Sequence, residues 1–409
     1  MTVGSGWRCK WHGVAAAALA AALLCGPAAA QQAQQRVDVP ITYLSRTEPP
    51  VLHLSLAEPE LTDDGLMGAR QALRENETTG RFLGQDYRLI EHVADEKADI
   101  VALVDQALGA GERLIVADLG RQDLLAVVPR AEAAGAIVFN ARVADDDLRL
   151  DGCSPALFHT VPSRAMKADA LAQYLVWKRW TDWYLLEGSH PADKAFAGAL
   201  RRAAERFGAK ILGSKTYEDM GGARRTDSGH VQVQQQMPVF TQEAPDHDVL
   251  MVADESEVFG EYLPYLTWLP RPVAGTTGLV PSSWSRVHEQ WGGTQVQRRF
   301  ERFAKRPMTE RDYNNWMAIR ALGEAVTRTG SADPAALRRY MRSDKFQLAA
   351  FKGQPVSFRR WNQQMRQPIL LVTPRMLVSV SPQDGFLHQR TPLDTLGYDE
   401  PESRCRLED

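Results

Sequence analysis

Short apolar runs rich in β-branched residues alternate with stretches of helical periodicity along most of this 409-residue chain. Few folds accept that alternation, because strand, helix and strand in succession close a right-handed unit whose strands lie parallel. In the first third, Val51–Leu56 reads as a strand, followed by a helix from about Asp64 that sets Leu66, Ala69 and Leu73 on one face. Strands at Tyr87–Val93, Leu114–Val116 and Ala136–Phe139 then alternate with helices at Ala98–Leu108 and Leu124–Ala133. A second series begins after Phe158-His159-Thr160-Val161-Pro162, where Ser163 is a candidate cap for a helix carrying Met166, Ala170, Leu171, Tyr174 and Leu175. Trp183–Leu186 reads as its next strand, Pro191 opens a helix with Phe196, Leu200, Ala203 and Phe207 aligned, and strands follow at Lys210–Leu212 and Val249–Val252. The pattern predicts two α/β lobes, each a doubly wound sheet. Tyr217–Asp248 interrupts it with a polar stretch that reads as a surface insertion or a lid. After Pro281 helical spacing returns, with Trp316, Ile319, Leu322 and Val326 on one face, and from Ala350 the chain is strand-rich again.

The first thirty residues read as an address. Arg8 and Lys10 precede an Ala/Leu run from Val14 to Leu24, and Ala28-Ala29-Ala30 offers a small-residue cleavage site before Gln31. Leu24 before Cys25 argues against a lipid anchor, and past the leader no apolar run is long enough for a spanning helix. Cys153 and Cys405 remain after the leader; a disulfide and two separate thiols both fit, and neither cysteine lies in a C-x-x-C pair. The formal charge of −3 argues against a broad nucleic-acid surface.

Catalytic signatures are missing: no G-x-S-x-G elbow, no H-E-x-x-H and no phosphate-binding G-x-x-x-x-G-K-[ST] loop. His159, His190, His230, His247 and His288 are scattered without metal-ligand spacing, and Asp145-Asp146-Asp147 with Asp151-Gly152 lacks the alternation of a calcium loop. No nucleophile–base pair can be nominated, which disfavours an enzyme, and no catalytic cofactor is expected. Of the 48 basic residues 38 are arginine, the side chain suited to two-pronged recognition of planar anions. Ligands of open α/β sheets lie beyond the carboxyl ends of the strands, which singles out Arg121, Arg142 and Arg271 as candidates facing a cleft.

Several longer segments carry a family resemblance: Val252-Ala253-Asp254-Glu255, Thr267-Trp268-Leu269-Pro270-Arg271-Pro272-Val273-Ala274-Gly275, Glu289-Gln290-Trp291-Gly292, Arg360 to Pro368 and Ser381 to His388. From about Val51 onward the chain resembles the periplasmic solute-binding proteins of the branched-chain amino-acid class, of type I fold. Within that class it is similar to the ABC-type substrate-binding proteins that accompany pyrroloquinoline-quinone-dependent alcohol dehydrogenase systems. The resemblance implies a periplasmic protein of two hinged lobes, 31–157 with 282–345 and 158–281 with 346–409, closing on a small ligand. An ABC permease or a quinoprotein dehydrogenase is the implied partner.

Amino-acid binders of this class offer a Ser/Thr-rich loop to the ligand's carboxylate. Here the corresponding loops read Gly120-Arg121-Gln122 and Asn140-Ala141-Arg142, which favours a larger, more anionic ligand. Pyrroloquinoline quinone, planar and bearing several carboxylates, is the leading candidate. Arg121, Arg142, Arg271 and Arg360 are then its charge-assisted donors, and Trp268 and Trp361 its stacking faces. A branched-chain amino acid or alcohol-derived molecule is the alternative, with Asp254, Glu255 and Glu257 suited to an ammonium. An accessory subunit of the dehydrogenase with no small ligand is a third reading.

Overall fold

The structure, a computed structural model, describes residues 36–48, 61–219 and 233–407. The leader, with Arg8, Lys10 and the Ala/Leu run, and the expected strand Val51–Leu56 lie outside the described residues.

The first series of elements is β1 (Val37–Arg46), α1 (Leu66–Leu83), β2 (Gln85–Ala94), α2 (Ile100–Gly109), β3 (Leu114–Asp118), α3 (Arg121–Ala133), β4 (Ile137–Asn140) and β5 (Leu157–His159). These strands form one parallel sheet in the order β2-β1-β3-β4-β5. The second series is α4 (Arg164–Trp177), β6 (Asp182–Gly188), α5 (Pro191–Phe207), β7 (Lys210–Tyr217), α6 (Val233–Thr241), β8 (Val249–Ala253) and β9 (Val273–Gly275), with a parallel sheet in the order β7-β6-β8-β9. The chain continues through β10 (Val280–Ser282), α7 (Gly293–Ala304), α8 (Glu310–Thr329), α9 (Pro334–Met341), β11 (Ser357–Phe358), β12 (Met365–Arg366), β13 (Ile369–Thr373) and β14 (Met376–Ser381). β10, β13 and β14 make a small antiparallel sheet beside the second lobe.

Both sheets are covered on both faces. Val39, Ile41 and Tyr43 meet Trp316, Ile319 and Leu322 of α8 on one side of the first sheet, while Leu44, Ile115 and Val138 meet Val104, Leu124 and Val127 on the other. In the second lobe Leu185 and Met251 pack with Leu171, Phe196 and Leu200, and Tyr184, Leu250 and Val252 pack with Met237 and Phe259.

β1 is a strand that the sequence pattern does not mark, because Pro40 interrupts it. Its pairing with β3 begins only at Thr42, so Pro40 sits where one flank needs no N–H donor. The expected polar insertion also contains more order than its composition suggests: α6 lies within it, anchored by Met237, which is fully buried. Elsewhere local chemistry sets the ends. Asp99 accepts the N–H groups of Val101 and Ala102 to start α2, Ser163 accepts that of Met166 in α4, and Pro191 occupies the first turn of α5.

The chain passes between the lobes through three central segments, ahead of a last return by its tail. After β5 it runs through Thr160-Val161-Pro162 to α4; after β10 through Ser283 to Trp284 in the first core; after β12 through Gln367-Pro368 to Ile369 in the second core. Phe346, Leu348, Val356 and Phe358 pack in the first core, whereas Ile369, Leu371 and Leu396 pack in the second. The tail then returns to the first lobe, where Cys405 is joined to Cys153.

α1 and α8 approach more closely than side chains allow. A Cβ on Gly68 would stand 1.9 Å from the backbone oxygen of Asp312, a rigid first-turn atom of α8. Gly68→Ala should therefore lower stability by about 1–3 kcal/mol, the usual range for overpacking, seen as a fall in the urea midpoint at unchanged slope.

Candidate functional site

A cavity of about 710 Å³ lies between the lobes at the carboxyl ends of both parallel sheets. Its first-lobe wall comes from the loops after β3 and β4 and from the first turn of α8; its second-lobe wall comes from the start of α4 and the loops after β8 and β9. Strand ends and helix starts meet here because every β-α unit turns over at this edge. The volume suits a small organic ligand.

Five cations line it: Arg121, Arg142 and Arg311 from the first lobe, Arg164 and Lys167 from the second. Each already has a carboxylate of the chain. Arg121 makes two bonds of 2.8 and 2.7 Å to Asp147, and Arg311 holds Asp118 at 2.8 and 2.9 Å. Arg142 pairs with Glu48. Arg164 grips Glu255 at 2.7 Å through Nη2 and reaches Asp145 of the first lobe at 3.2 Å. Lys167 meets Glu310 across the cleft at 2.9 Å. Burial works to raise the Glu310 carboxyl, but Lys167 and the Ser283 N–H outweigh it and hold it below the usual range.

Among the described residues the carboxylates outnumber these cations. The first lobe contributes Asp64, Asp145 and Glu310, the second Asp254, Glu255, Glu257 and Glu261. Asp254 organises its own loop, accepting the N–H groups of Val258, Phe259 and Gly260 at 3.0, 2.8 and 2.6 Å. The Asp145-Asp146-Asp147 run is drawn into the site by salt bridges and by a cap: Asp146 accepts the Ala165 N–H at 3.1 Å and so begins α4.

The structure brings Arg121, Arg142 and Glu255 to the cavity, and leaves Arg271, Trp268, Arg360 and Trp361 outside its lining. Trp268 and Arg271 precede β9, which places them at the amino end of that strand, away from the cleft; Trp268 is half exposed and Arg271 pairs with Asp246. Arg360 and Trp361 occupy the turn between β11 and β12, where the indole is buried with the guanidinium carbons of Arg359, Arg366 and Arg390 at 5.4, 5.3 and 5.5 Å from its ring. Sequence reading missed Arg164, Lys167, Glu310 and Arg311. Their signal is the helix start: Ser163 and Thr309 are caps, and these residues fill the turns just beyond them.

The chain has the fold of the type I periplasmic binding proteins, two α/β lobes with the cavity between them. Residues 61–229 match the profile of a family described as periplasmic binding protein. Among solved structures the chain is similar to an ABC transporter substrate-binding protein from Sphaerobacter thermophilus, at 15% identity over 88% of this chain and 100% of that one, TM-score 0.69. It is similar too to a branched-chain amino acid ABC transporter periplasmic ligand-binding protein from Burkholderia xenovorans LB400, at 14% identity over 84% and 95%, TM-score 0.65. A third is an ABC transporter substrate-binding protein from Desulfitobacterium hafniense in complex with leucine, at 15% identity over 84% and 99%, TM-score 0.62. None of the curated protein sequences matches the chain. Among the described residues no helix is long and apolar enough to cross a membrane.

Asp64 gives the cleft a pH signature. Burial, with the Asp312 carboxylate nearby, pushes its carboxyl up from the usual range against the pull of the Thr309 hydroxyl and Arg311. The native chain therefore keeps a proton that the unfolded chain has already lost, so stability falls as pH rises through that interval, and the cost persists above it. Asp64→Asn keeps the acceptor and removes the charge. It should raise Tm at about pH 7.5, with the gain shrinking toward about pH 4.5 in a calorimetric series.

Proposed function

We propose that this chain is a periplasmic solute-binding protein that captures a small zwitterion of the amino-acid class by lobe closure and hands it to an ABC permease. The observation that carries the reading is the charge of the cleft: carboxylates exceed cations, and every lining guanidinium is already paired. Such a wall favours a ligand that brings its own cation. Glu255 on the second lobe, shared with Arg164, is the candidate partner for an ammonium, and the ligand's single carboxylate requires one exchange only, of Glu48 at Arg142 or Asp118 at Arg311. The leucine complex of the Desulfitobacterium relative supports the same class.

The multicarboxylate reading, with pyrroloquinoline quinone as its example, rests on Arg121, Arg142 and Arg311. Each would have to exchange Asp147, Glu48 or Asp118 for the ligand, in a cleft with excess negative charge. A role beside a quinoprotein dehydrogenase, with or without a ligand, belongs to that reading. Calorimetric titration of the chain beginning at Gln31 separates the two. L-Leucine and a panel of L-amino acids should include a binder and the quinone should give no heat. Glu255→Gln should then weaken the binder about tenfold, or about 1.4 kcal/mol. Saturable heat with the quinone and none with any amino acid overturns the proposal.

A further inference from the structure

The three crossings are tied together by one buried lysine. Lys352 is 1% exposed, and its Nζ donates to the Ser283 carbonyl at 3.1 Å and to Gln367 Oε1 at 2.7 Å. Gln367 in turn donates through Nε2 to the Thr160 carbonyl at 2.6 Å. Ser283 and Gln367 stand on the second and third crossings and Thr160 on the first, so the chain Lys352–Gln367–Thr160 with Ser283 spans all three. The network reaches the cavity as well. The Ser283 N–H donates to Glu310 at 2.8 Å and its hydroxyl to Asn314 at 2.8 Å, and both acceptors line the cleft.

Both hydrogen-bond acceptors of Lys352 are neutral. A neutral amine satisfies them with its two N–H groups, whereas an ammonium adds a third proton and a full charge, faced by the Tyr313 ring at 5.0 Å and by the field of the Glu310 carboxylate, with no carboxylate bonded to it. Rotation about the crossings that admits water stabilises the charged form and not the neutral one. We propose that Lys352 is a positioning residue through which a proton sets the closure equilibrium: the neutral amine holds the crossings as seen here, and the ammonium favours a hydrated, more open hinge.

The sign follows from linkage, since protons favour the state that binds them more tightly. Burial pushes Lys352 down to about 7, and Glu310 opposes this only in part. The other titratable groups packed around it move out of that range. Glu310 of α8 is held below the usual carboxylate range, Tyr313 of α8 is pushed up by burial, and His288, whose Nε2 donates to the Phe351 carbonyl, is held below its usual value. His159, next to Thr160, is also held down by burial.

Small-angle scattering across the neutral range tests this without any ligand, so its outcome is independent of the solute assignment. The wild-type radius of gyration should fall as pH rises through about 7. Lys352→Met and Lys352→Gln should abolish that step, Lys352→Arg should hold the low-pH value throughout, and His288→Gln should keep the wild-type midpoint. A flat wild-type profile overturns the proposal, as does a Met or Gln variant that keeps the step. Should both neutral variants fail to fold, the Arg variant decides: a wild-type midpoint in it overturns the assignment.

Discussion

Backbone that leaves one sheet and has not yet entered another loses the ladder that would satisfy its N–H and C=O groups. Here three such segments run side by side in a buried interior, and the groups they expose find side-chain partners. Thr160, Ser283 and Gln367 are all fully buried, and Lys352 and Gln367 supply the missing donors. The same solution repeats one layer away. Gln364 donates to the carbonyl of Val161 at 3.1 Å while accepting from Arg149 at 2.9 Å. The whole two-lobed arrangement depends on these long amides and cations, because they are what lets the chain cross without a strand.

Much of this architecture is legible in the sequence, for reasons that differ between elements. The alternation of strand and helix follows from burial on both faces, so Leu114–Val116 and Val249–Val252 read as nearly continuous apolar runs. Helix starts at Ser163 and Pro191 follow from the chemistry of one or two residues. β1 escapes because proline is read as a strand breaker, and only the register with β3 reveals that Pro40 faces an unpaired stretch. α6 escapes because Gln234-Gln235-Gln236 looks like a loop, while Met237 and the aromatic cluster beneath it are contributed from distant sequence.

The site divides along the same line. Arg121 and Arg142 could be found because each follows a strand directly, and a parallel sheet sends every carboxyl end to one edge. The rule fails for Arg271, which stands on the return path before β9 and is carried to the opposite edge. Trp361 fails for another reason: an indole beside arginines looks like a stacking platform, but here the indole is buried at the turn between β11 and β12 against the guanidiniums of Arg359 and Arg366. Pairing is the part that no local pattern holds. Nothing around Arg311 announces Asp118, nearly two hundred residues away, or that Lys167 reaches Glu310.

Position along the hinge then decides what these pairs do. Arg121–Asp147, Arg142–Glu48 and Arg311–Asp118 lie within the first lobe, and Arg164–Glu255 within the second. On the proposed closure they would move as rigid parts of their lobes. Lys167–Glu310 and Arg164–Asp145 join the two lobes, and both stand beside the crossings: Arg164 is two residues beyond Pro162, and Glu310 is bonded to Ser283. Atoms close to a rotation axis travel little, so on that proposal these bridges would survive an opening that separates the outer rim. On the same proposal they would fix the axis rather than latch the mouth, which would leave a ligand between the outer loops the longest lever for closing it.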